Sequence, residues 1–541
     1  MKLSQPAEEY GPQHGGTATF TAAETLDSVS RSQASPRTTE PEPTHAQPSS
    51  VRDLAIFGFF GLALLALFGS LVARFPLLHY FPGPGVTISF YEIFGRDWVQ
   101  GSWWYITTFT AAFLLLGGAA LAVPKQNCRR TVALTFALPV LFASTLAYMY
   151  PITAMDVIHY YAESRILWVY HQNPLTVPVM AHPFIVGVSF PDVASPYGPL
   201  WQILTGPTTL LAGKHWAWGV LGLKLVAGLA YLVCAWIIYL IVRRLRPERA
   251  LTAVVLFAWN PFIVFRVAGN GHNDISMVVF ILLAIYCVVS ERWRWIFPTL
   301  AASVLIKYIS LLLAPLFFLY LLQLARQRRD RSILVQSAVG LLIAGLLSLS
   351  LFAIFWAGTD TFTALQRTSQ PLTSTPLVFA AWLTGKVRPG SELASANWFL
   401  RVAFAALYCQ ILLFSRPRPE RLISGCVFIF VGYVFLVTPW FRPWYFLWFV
   451  PLTVLQPSRW YLAFGLVSSL TVNLAEQAEY YRTRLDWFPQ NNLALISAPV
   501  IVQFLLPALL LLVSLLITRS PDLRRRRDAD TALPDPPETD E

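Results

Sequence analysis

Charged side chains are scarce in this chain, so each one that interrupts an apolar run is a candidate for chemistry. Asp156 follows an apolar segment and opens the run Asp156-Val157-Ile158-His159-Tyr160-Tyr161-Ala162-Glu163-Ser164-Arg165. A carboxylate at a water boundary, with a long loop above it, suits a general base that takes a proton from a hydroxyl. The competing reading is a plain N-cap of the helix that follows. His159 and Arg165 are read as orienting this loop or meeting headgroups. Arg165 is also counted with Tyr197, from Pro196-Tyr197-Gly198-Pro199, among the substrate contacts.

A second cluster is Gly269-Asn270-Gly271-His272-Asn273-Asp274. Asn273 as N-cap and Asp274 in the first helical turn would account for part of it. Two glycines, a histidine, two asparagines and an aspartate in six positions exceed what one cap needs, so His272, Asn273 and Asp274 are expected to bind substrate. Three cations complete the set: Lys307 beside Tyr308, Arg442 inside Thr438-Pro439-Trp440-Phe441-Arg442-Pro443-Trp444-Tyr445, and Arg266. A lysine among apolar residues is costly in a membrane and usually functional, although a long side chain can also snorkel to the interface. Carboxylates and polar groups on one wall with cations on another suit a hydroxyl attacker and a lipid-borne phosphate as leaving group.

The elements that must carry these residues follow from composition. Of 541 residues 55% are hydrophobic and only 13% charged, about half the roughly 25% charged content usual in soluble proteins. Too few charges remain to coat soluble domains, which excludes a soluble multidomain enzyme. Apolar segments between Leu54 and Ile517 predict an all-α polytopic transmembrane protein of twelve to fourteen spans, with interfacial helices in its long outer loops. The helix expected over 157–170 would lie in the interface, offering Ile158, Ile166, Leu167 and Tyr170 to lipid. The stretch 296–324 is basic at both ends and reads as a hairpin of two short helices with Lys307 at its apex. Residues 1–50 and 521–541 read as disordered tails around a membrane domain over 51–520, and Leu54 begins a first span, not a cleavable signal.

The net charge of +11 would suggest nucleic acid in a soluble chain. Here the basic residues have a topological meaning. Lys125, Arg129 and Arg130, Arg243 to Arg249, Arg292 and Arg294, Arg326 to Arg331, Arg416 to Arg421, Arg459, and Arg519 to Arg527 hold more than half of them. All fall in short loops on one side, which the positive-inside rule assigns to the cytoplasm together with both termini. The long segments 74–102, 150–218, 357–396 and 475–494 fall on the other side, so the chemistry faces outward from a plasma membrane, with no nucleic acid as partner. The five cysteines are far apart and lie mostly in apolar runs, which excludes a disulfide framework or zinc site.

At these residues the sequence resembles the GT-C superfamily of polytopic glycosyltransferases, and within it bacterial polyprenyl-phosphate-mannose-dependent α-mannosyltransferases around glycosyltransferase family 87. The likeness rests on Asp156 with its Tyr/Glu/Arg helix, Asn173-Pro174, Pro196-Tyr197-Gly198-Pro199-Leu200, Gly271-His272-Asn273-Asp274, Lys307-Tyr308 and Pro443-Trp444-Tyr445. It implies a catalytic acidic residue in the first outer loop, Asp156. It also implies a polyprenyl-phosphate mannose donor arriving from the outer leaflet and a glycan or glycolipid acceptor. Two departures are visible. His171-Gln172 precede the Asn-Pro pair and Leu175 follows it, where the family often has Gly and Tyr. No second carboxylate follows Asp156 closely, as it does in metal-using members, which favours a reaction without metal or other cofactor.

The expected mechanism is in-line: Asp156 deprotonates an acceptor hydroxyl, which attacks the anomeric carbon with inversion, while Lys307, Arg442 or Arg266 stabilises the departing phosphate. The competing readings are a lipid or sugar transporter, which would want repeats and midplane charges, and a membrane-bound acyltransferase using His272.

Overall fold

Backbone N–H and C=O groups find no partner in hydrocarbon, so apolar runs of about twenty residues close their hydrogen bonds internally as helices. The computed structural model describes residues 51–81, 98–124, 128–182, 191–367, 393–438, 441–484 and 500–519. The expected tails at 1–50 and 521–541 lie outside the described residues, as do 82–97, 183–190, 368–392 and 485–494 of the expected outer loops. Single turns apart, the helices are α1 (Val51–Arg74), α2 (Trp98–Leu121), α3 (Arg129–Ala147), α4 (Asp156–Trp168), α5 (Pro199–Leu204), α6 (Gly206–Ala212), α7 (Trp216–Leu245), α8 (Ala250–Ala258) and α9 (Pro261–Val264). They continue as α10 (Asp274–Val289), α11 (Ile296–Val304), α12 (Ala314–Arg328), α13 (Arg331–Phe355), α14 (Leu393–Leu413), α15 (Pro419–Gly432), α16 (Arg459–Arg484) and α17 (Leu506–Arg519). Among the described residues β pairing is limited to two isolated bridges, Pro76 with Met149 and Ala357 with Thr359.

Among the described residues seven helices are long and apolar enough to cross a membrane, and a bent pair, Pro247–Ala258 with Pro261–Gly269, would make an eighth. Three more apolar helices, over Asp274–Val289, Trp398–Leu413 and Ile501–Leu512, are shorter. The protein is thus all-α and polytopic, with fewer full-length spans than the fourteen apolar segments suggested. Several of those segments are short pieces enclosed by protein. The segment 443–456, for example, is a 3-10 turn over Pro443–Trp448 followed by one helical turn, both buried.

The bend between α8 and α9 has a local cause. Pro261 lacks a backbone donor, and the Asn260 side chain accepts from Phe262 N at 3.0 Å to start the new helix. Beyond α9 the chain widens into a π-turn, Phe265–Gly269, the kind of irregularity that helices often carry at functional sites.

That turn carries Arg266, fully buried. Its guanidinium meets Glu476 of α16 in a fork at 2.9 and 2.6 Å, and also reaches Asn473 at 2.8 Å and Thr153 at 3.0 Å. Tyr105 of α2 donates to the same Glu476 at 3.3 Å, and Asn270 donates to Thr153 at 2.7 Å. Lys224, buried in α7, donates to the carbonyls of Leu146 and Met149 at the C-terminal end of α3. Strand-like bonds from Leu77 N to Tyr148 O and from Tyr150 N to Phe75 O, both 2.7 Å, secure the same stretch against the end of α1. The segment entering α4 is therefore fixed before Asp156 is reached.

Of the four residues expected to face lipid from α4, Leu167 and Tyr170 stay partly open and the two isoleucines do not. Ile158 and Ile166 are fully buried, and α4 packs on α5, α6 and α7. Ser164 bonds Thr209 at 2.5 Å and Trp168 donates to Gln202 O at 2.9 Å. The pattern of apolar residues marked a helix needing cover, and the cover is protein. Helix α10 is enclosed likewise, packed between α7 and α11. Long helix α16 runs on to Arg484, so the outer segment expected from 475 starts later.

The break expected at Lys307 is present: α11 ends at Val304 and a 3-10 turn resumes at Tyr308. The loop before α5 docks into it, with Gly198 N donating to Ile306 O at 3.0 Å and Leu200 N to Leu305 O at 2.9 Å. Gly198 permits this approach, because a Cβ there would sit 2.2 Å from Leu305 O. Arg266→Met leaves Glu476 buried without its cation and should destabilise the protein by about 3–5 kcal/mol. Thermal unfolding in detergent reads this as a lower midpoint, with partial recovery in Arg266→Met/Glu476→Met; a wild-type midpoint in the single variant would refute it.

Candidate active site

The site gathers at one end of the bundle, where α4 and α10 begin and where the loops around 197, 307 and 442 converge. Asp156 is the first residue of α4, favourable for a carboxylate next to unpaired helix N–H groups. It is not the N-cap: Met155 holds that position and makes no side-chain cap bond. The carboxylate therefore stays open, with its side chain 29% exposed while everything beneath it is closed. Burial lifts its proton affinity above the ordinary carboxylate value; Arg442, His159 and Lys307 oppose the rise and Asp274 adds to it.

His272 stands beside it, Nδ1 3.7 Å from Asp156 Oδ2, a separation longer than a hydrogen bond. Its ring is fully buried and stacked on Trp444 at 4.0 Å and 22°. Neither ring nitrogen has a hydrogen-bond partner. Burial, with the charges of Arg266, Lys307 and Arg442, holds its proton affinity well below the ordinary histidine value, so the ring is neutral near pH 7. Gly271 brings it there in the left-handed region, φ 77°, against Val157, where a Cβ would come within 2.7 Å.

Asn273 occupies the N-cap position of α10 without capping it. Its Oδ1 instead accepts from Tyr160 Oη at 3.3 Å, which in turn accepts from Tyr197 Oη at 3.3 Å. Asp274 is fully buried and takes Lys307 Nζ at 2.6 Å together with the indole N–H of Trp448. Lys307 is boxed by the rings of Tyr197, Tyr445 and Trp448 at 5.3 to 5.6 Å, cation–π distances that hold the ammonium in place. Arg442 lies over Trp444 at 5.8 Å.

The structure thus brings Asp156, Tyr197, His272, Asn273, Asp274, Lys307 and Arg442 into one constellation. Two expected residues are elsewhere. Arg266 is engaged by Glu476, Asn473 and Thr153 as described, which removes it from the cations open to an incoming phosphate. Arg165 sits nine residues along α4 from Asp156, where it donates to Gly213 O and lies over Tyr161 and Trp216 at 5.9 Å; it positions α4 and does not line the site. Sequence reasoning gave Trp444 and Tyr445 no role beyond the family likeness, and it had passed over Trp448, Glu163 and Lys224. Lys224 alone carried a signal, a cation in the middle of a long apolar helix. Among the described residues, no group of three or more His, Cys, Asp or Glu side chains is placed to hold a metal ion.

The basic loops gather at the opposite end. Arg244 bonds Ser290, Arg246 and Arg249 reach the carbonyls of Leu455 and Pro457, and Arg328 pairs with Glu291 at 2.9 Å. Helix α10 shows the polarity directly, running from Asp274 in the site to Val289 beside Glu291.

Residues 55–323 match the family model MptA_B family, described as alpha-(1->6)-mannopyranosyltransferase, N-terminal domain. The match contains every site residue above except Arg442 and its aromatic neighbours. Comparison with curated proteins gives no match. With the Asp156 carboxylate and Lys307 inside the matched region and Arg442 beyond it, the chain is a membrane mannosyltransferase, a glycosyltransferase whose residues 55–323 match the MptA_B family.

Proposed function

We propose that the protein transfers mannose from a polyprenyl-phosphate donor to a hydroxyl of a glycan or glycolipid acceptor, on the outer face of the membrane. The family description suggests an α-(1→6) linkage. The observation that carries the mechanism is the open Asp156 carboxylate, with Lys307 and Arg442 near enough for their charges to act on it and with His272 and Asp274 buried in the same cluster. Asp156 takes the acceptor proton as the hydroxyl attacks the anomeric carbon. The sugar–phosphate bond breaks on the far side, and the leaving phosphate is met by Lys307 and Arg442. Single displacement inverts the anomeric centre, so a β-linked donor gives an α-linked product. Lys307 is suited to the task because Asp274 and three rings hold it in place, so little reorganisation is needed as charge develops. An outward-facing site is supported by the basic loops at the opposite end of the bundle. Polar groups clustered at one boundary, together with the family match, favour transfer chemistry over transport or acyl transfer.

Asp156→Asn should insert and unfold like the wild type yet lose about 10²–10⁴-fold of its transfer from radiolabelled polyprenyl-phosphate mannose to a synthetic octyl α-mannoside. Near-wild-type turnover would remove Asp156 from the role of base. The base works deprotonated, so its raised proton affinity moves the acid limb of the rate upward. Activity should fall with decreasing pH at a midpoint above about 3.9, the ordinary aspartate value. A limb at or below that value in a pH–rate profile would contradict the burial of this group. The reaction in this reading uses no metal, so EDTA-treated enzyme should keep its full rate; a loss restored by a divalent cation would overturn that part.

A further inference from the structure

The turn after α10 carries two arginines beside a cavity. Helix α10 ends at Val289, Glu291 takes the left-handed region at φ 56°, and Arg292 N closes the end on Cys287 O at 2.8 Å. A 3-10 turn, Trp293–Trp295, leads on into α11. Gly340 of α13 lets this turn approach closely, because a Cβ there would sit 2.5 Å from Arg294 O. Between the turn and α13 lies a cavity of about 550 Å³, lined by Glu291, Arg292, Arg294, Trp295 and Gln336. We propose that this cavity binds the headgroup of an anionic phospholipid, whose acyl chains lie along the exposed face of α13.

The sign of the ligand follows from the charges around the cavity. Glu291 is one of the lining residues, but Arg328 meets its carboxylate at 2.9 Å. Arg292 and Arg294 therefore set the net charge. Both are exposed, and among the described residues neither pairs with a carboxylate. A guanidinium presents a planar fork of donors that matches two oxygens of a phosphate. Arg294 lies over the Trp295 ring at 5.7 Å, which holds its charge near the rim. Gln336 adds a neutral donor and acceptor suited to headgroup esters and hydroxyls. The volume falls within the roughly 300–1,000 Å³ of small-molecule sites, so a whole headgroup fits and not only one ion.

The surface next to the cavity makes the occupant a lipid. Val335, Val339, Leu342 and Leu346 of α13 are exposed, and their spacing of i, i+4, i+7 and i+11 puts them on one helical face. Val339 is three residues from Gln336, hence its neighbour on the helix surface. The apolar face thus begins where the polar cavity ends. Trp295, 44% exposed at the rim, is an amphipathic ring of the kind found at headgroup level. Membrane topology accounts for the sign of the arginines at this end, but not for two of them on one cavity beside a bare apolar helix. A basic pocket between membrane helices is suited to anionic headgroups. It stands at the opposite end of α10 from Asp274, so it is separate from the cations assigned to the donor phosphate.

The test is native mass spectrometry of the full-length protein released from detergent micelles, with tetraoleoyl cardiolipin, dioleoyl phosphatidylcholine and inorganic phosphate as probes. The wild type should bind cardiolipin more tightly than phosphatidylcholine, and excess inorganic phosphate should not displace it. Arg292→Gln/Arg294→Gln should weaken cardiolipin binding about 30-fold, from about 1 kcal/mol per arginine at about 1.4 kcal/mol per tenfold. Phosphatidylcholine binding and the thermal midpoint should stay as in the wild type. If the double variant fails to fold, Arg294→Gln alone should weaken cardiolipin binding about fivefold by the same conversion. Arg416→Gln/Arg418→Gln, which removes two exposed arginines of another basic loop, should keep wild-type binding. Undiminished cardiolipin binding in the Arg292 and Arg294 variants overturns the site, and so does an equal loss in the Arg416 and Arg418 variant. Displacement of cardiolipin by inorganic phosphate would overturn the lipid and assign the cavity to a soluble anion.

Discussion

A guanidinium buried in an apolar bundle is tolerable only when each direction it presents is met, and the position of Arg266 imposes that requirement on much of the molecule. Its partners come from separate stretches of chain: the approach to α4 through Thr153, and α16 through Asn473 and Glu476. Tyr105 brings in α2. Such pairs contribute little net stability compared with good apolar packing, but they discriminate strongly against misplacement, since a shifted helix leaves a bare charge behind. The entry to α4 is consequently rigid for electrostatic reasons, and the residue that follows is Asp156.

The site inherits that rigidity and divides its ionisable groups by environment. Asp156 sits at the mouth and keeps contact with solvent. His272, beneath it, is held neutral by burial and nearby cations. Asp274 and Lys307 are joined to each other and walled by aromatic rings. The open carboxylate and the held cation thus remain separate groups, each with its own neighbours. The aromatic residues at 444, 445 and 448 contribute directly, as the stacking partner of His272 and the box around Lys307.

Much of this was legible in the sequence where chemistry and local order coincide. Asp156 after an apolar run, the polar cluster at 270–274 and the interruption at Lys307 each mark a helix end, and helix ends are where the site formed. What could not be read was pairing at a distance. Nothing near Arg266 announces a carboxylate 210 positions later, so it looked like a free cation. Arg165 misled in the same way, being near Asp156 in sequence but on a later turn of α4. Ile158 and Ile166 pointed to a lipid-facing surface because an apolar face reports only that cover is needed. Burial by helices α5 to α7 satisfies that need as well as lipid does.

The dimensions of α10 carry a consequence for how deep the chemistry lies. Its sixteen residues reach about 24 Å at 1.5 Å per residue, against a hydrocarbon layer about 30 Å thick. A helix of that length, packed along the thirty-residue α7, falls short of that thickness by roughly a helical turn. On the outward-facing orientation proposed above, Asp274 would lie below the level of the headgroups. With the donor and acceptor proposed above, a lipid-borne phosphate would meet Asp274 from the side, at its own depth, whereas a hydrophilic chain would reach down to it from above. Depth alone therefore separates the two approaches and keeps them from competing for one entrance.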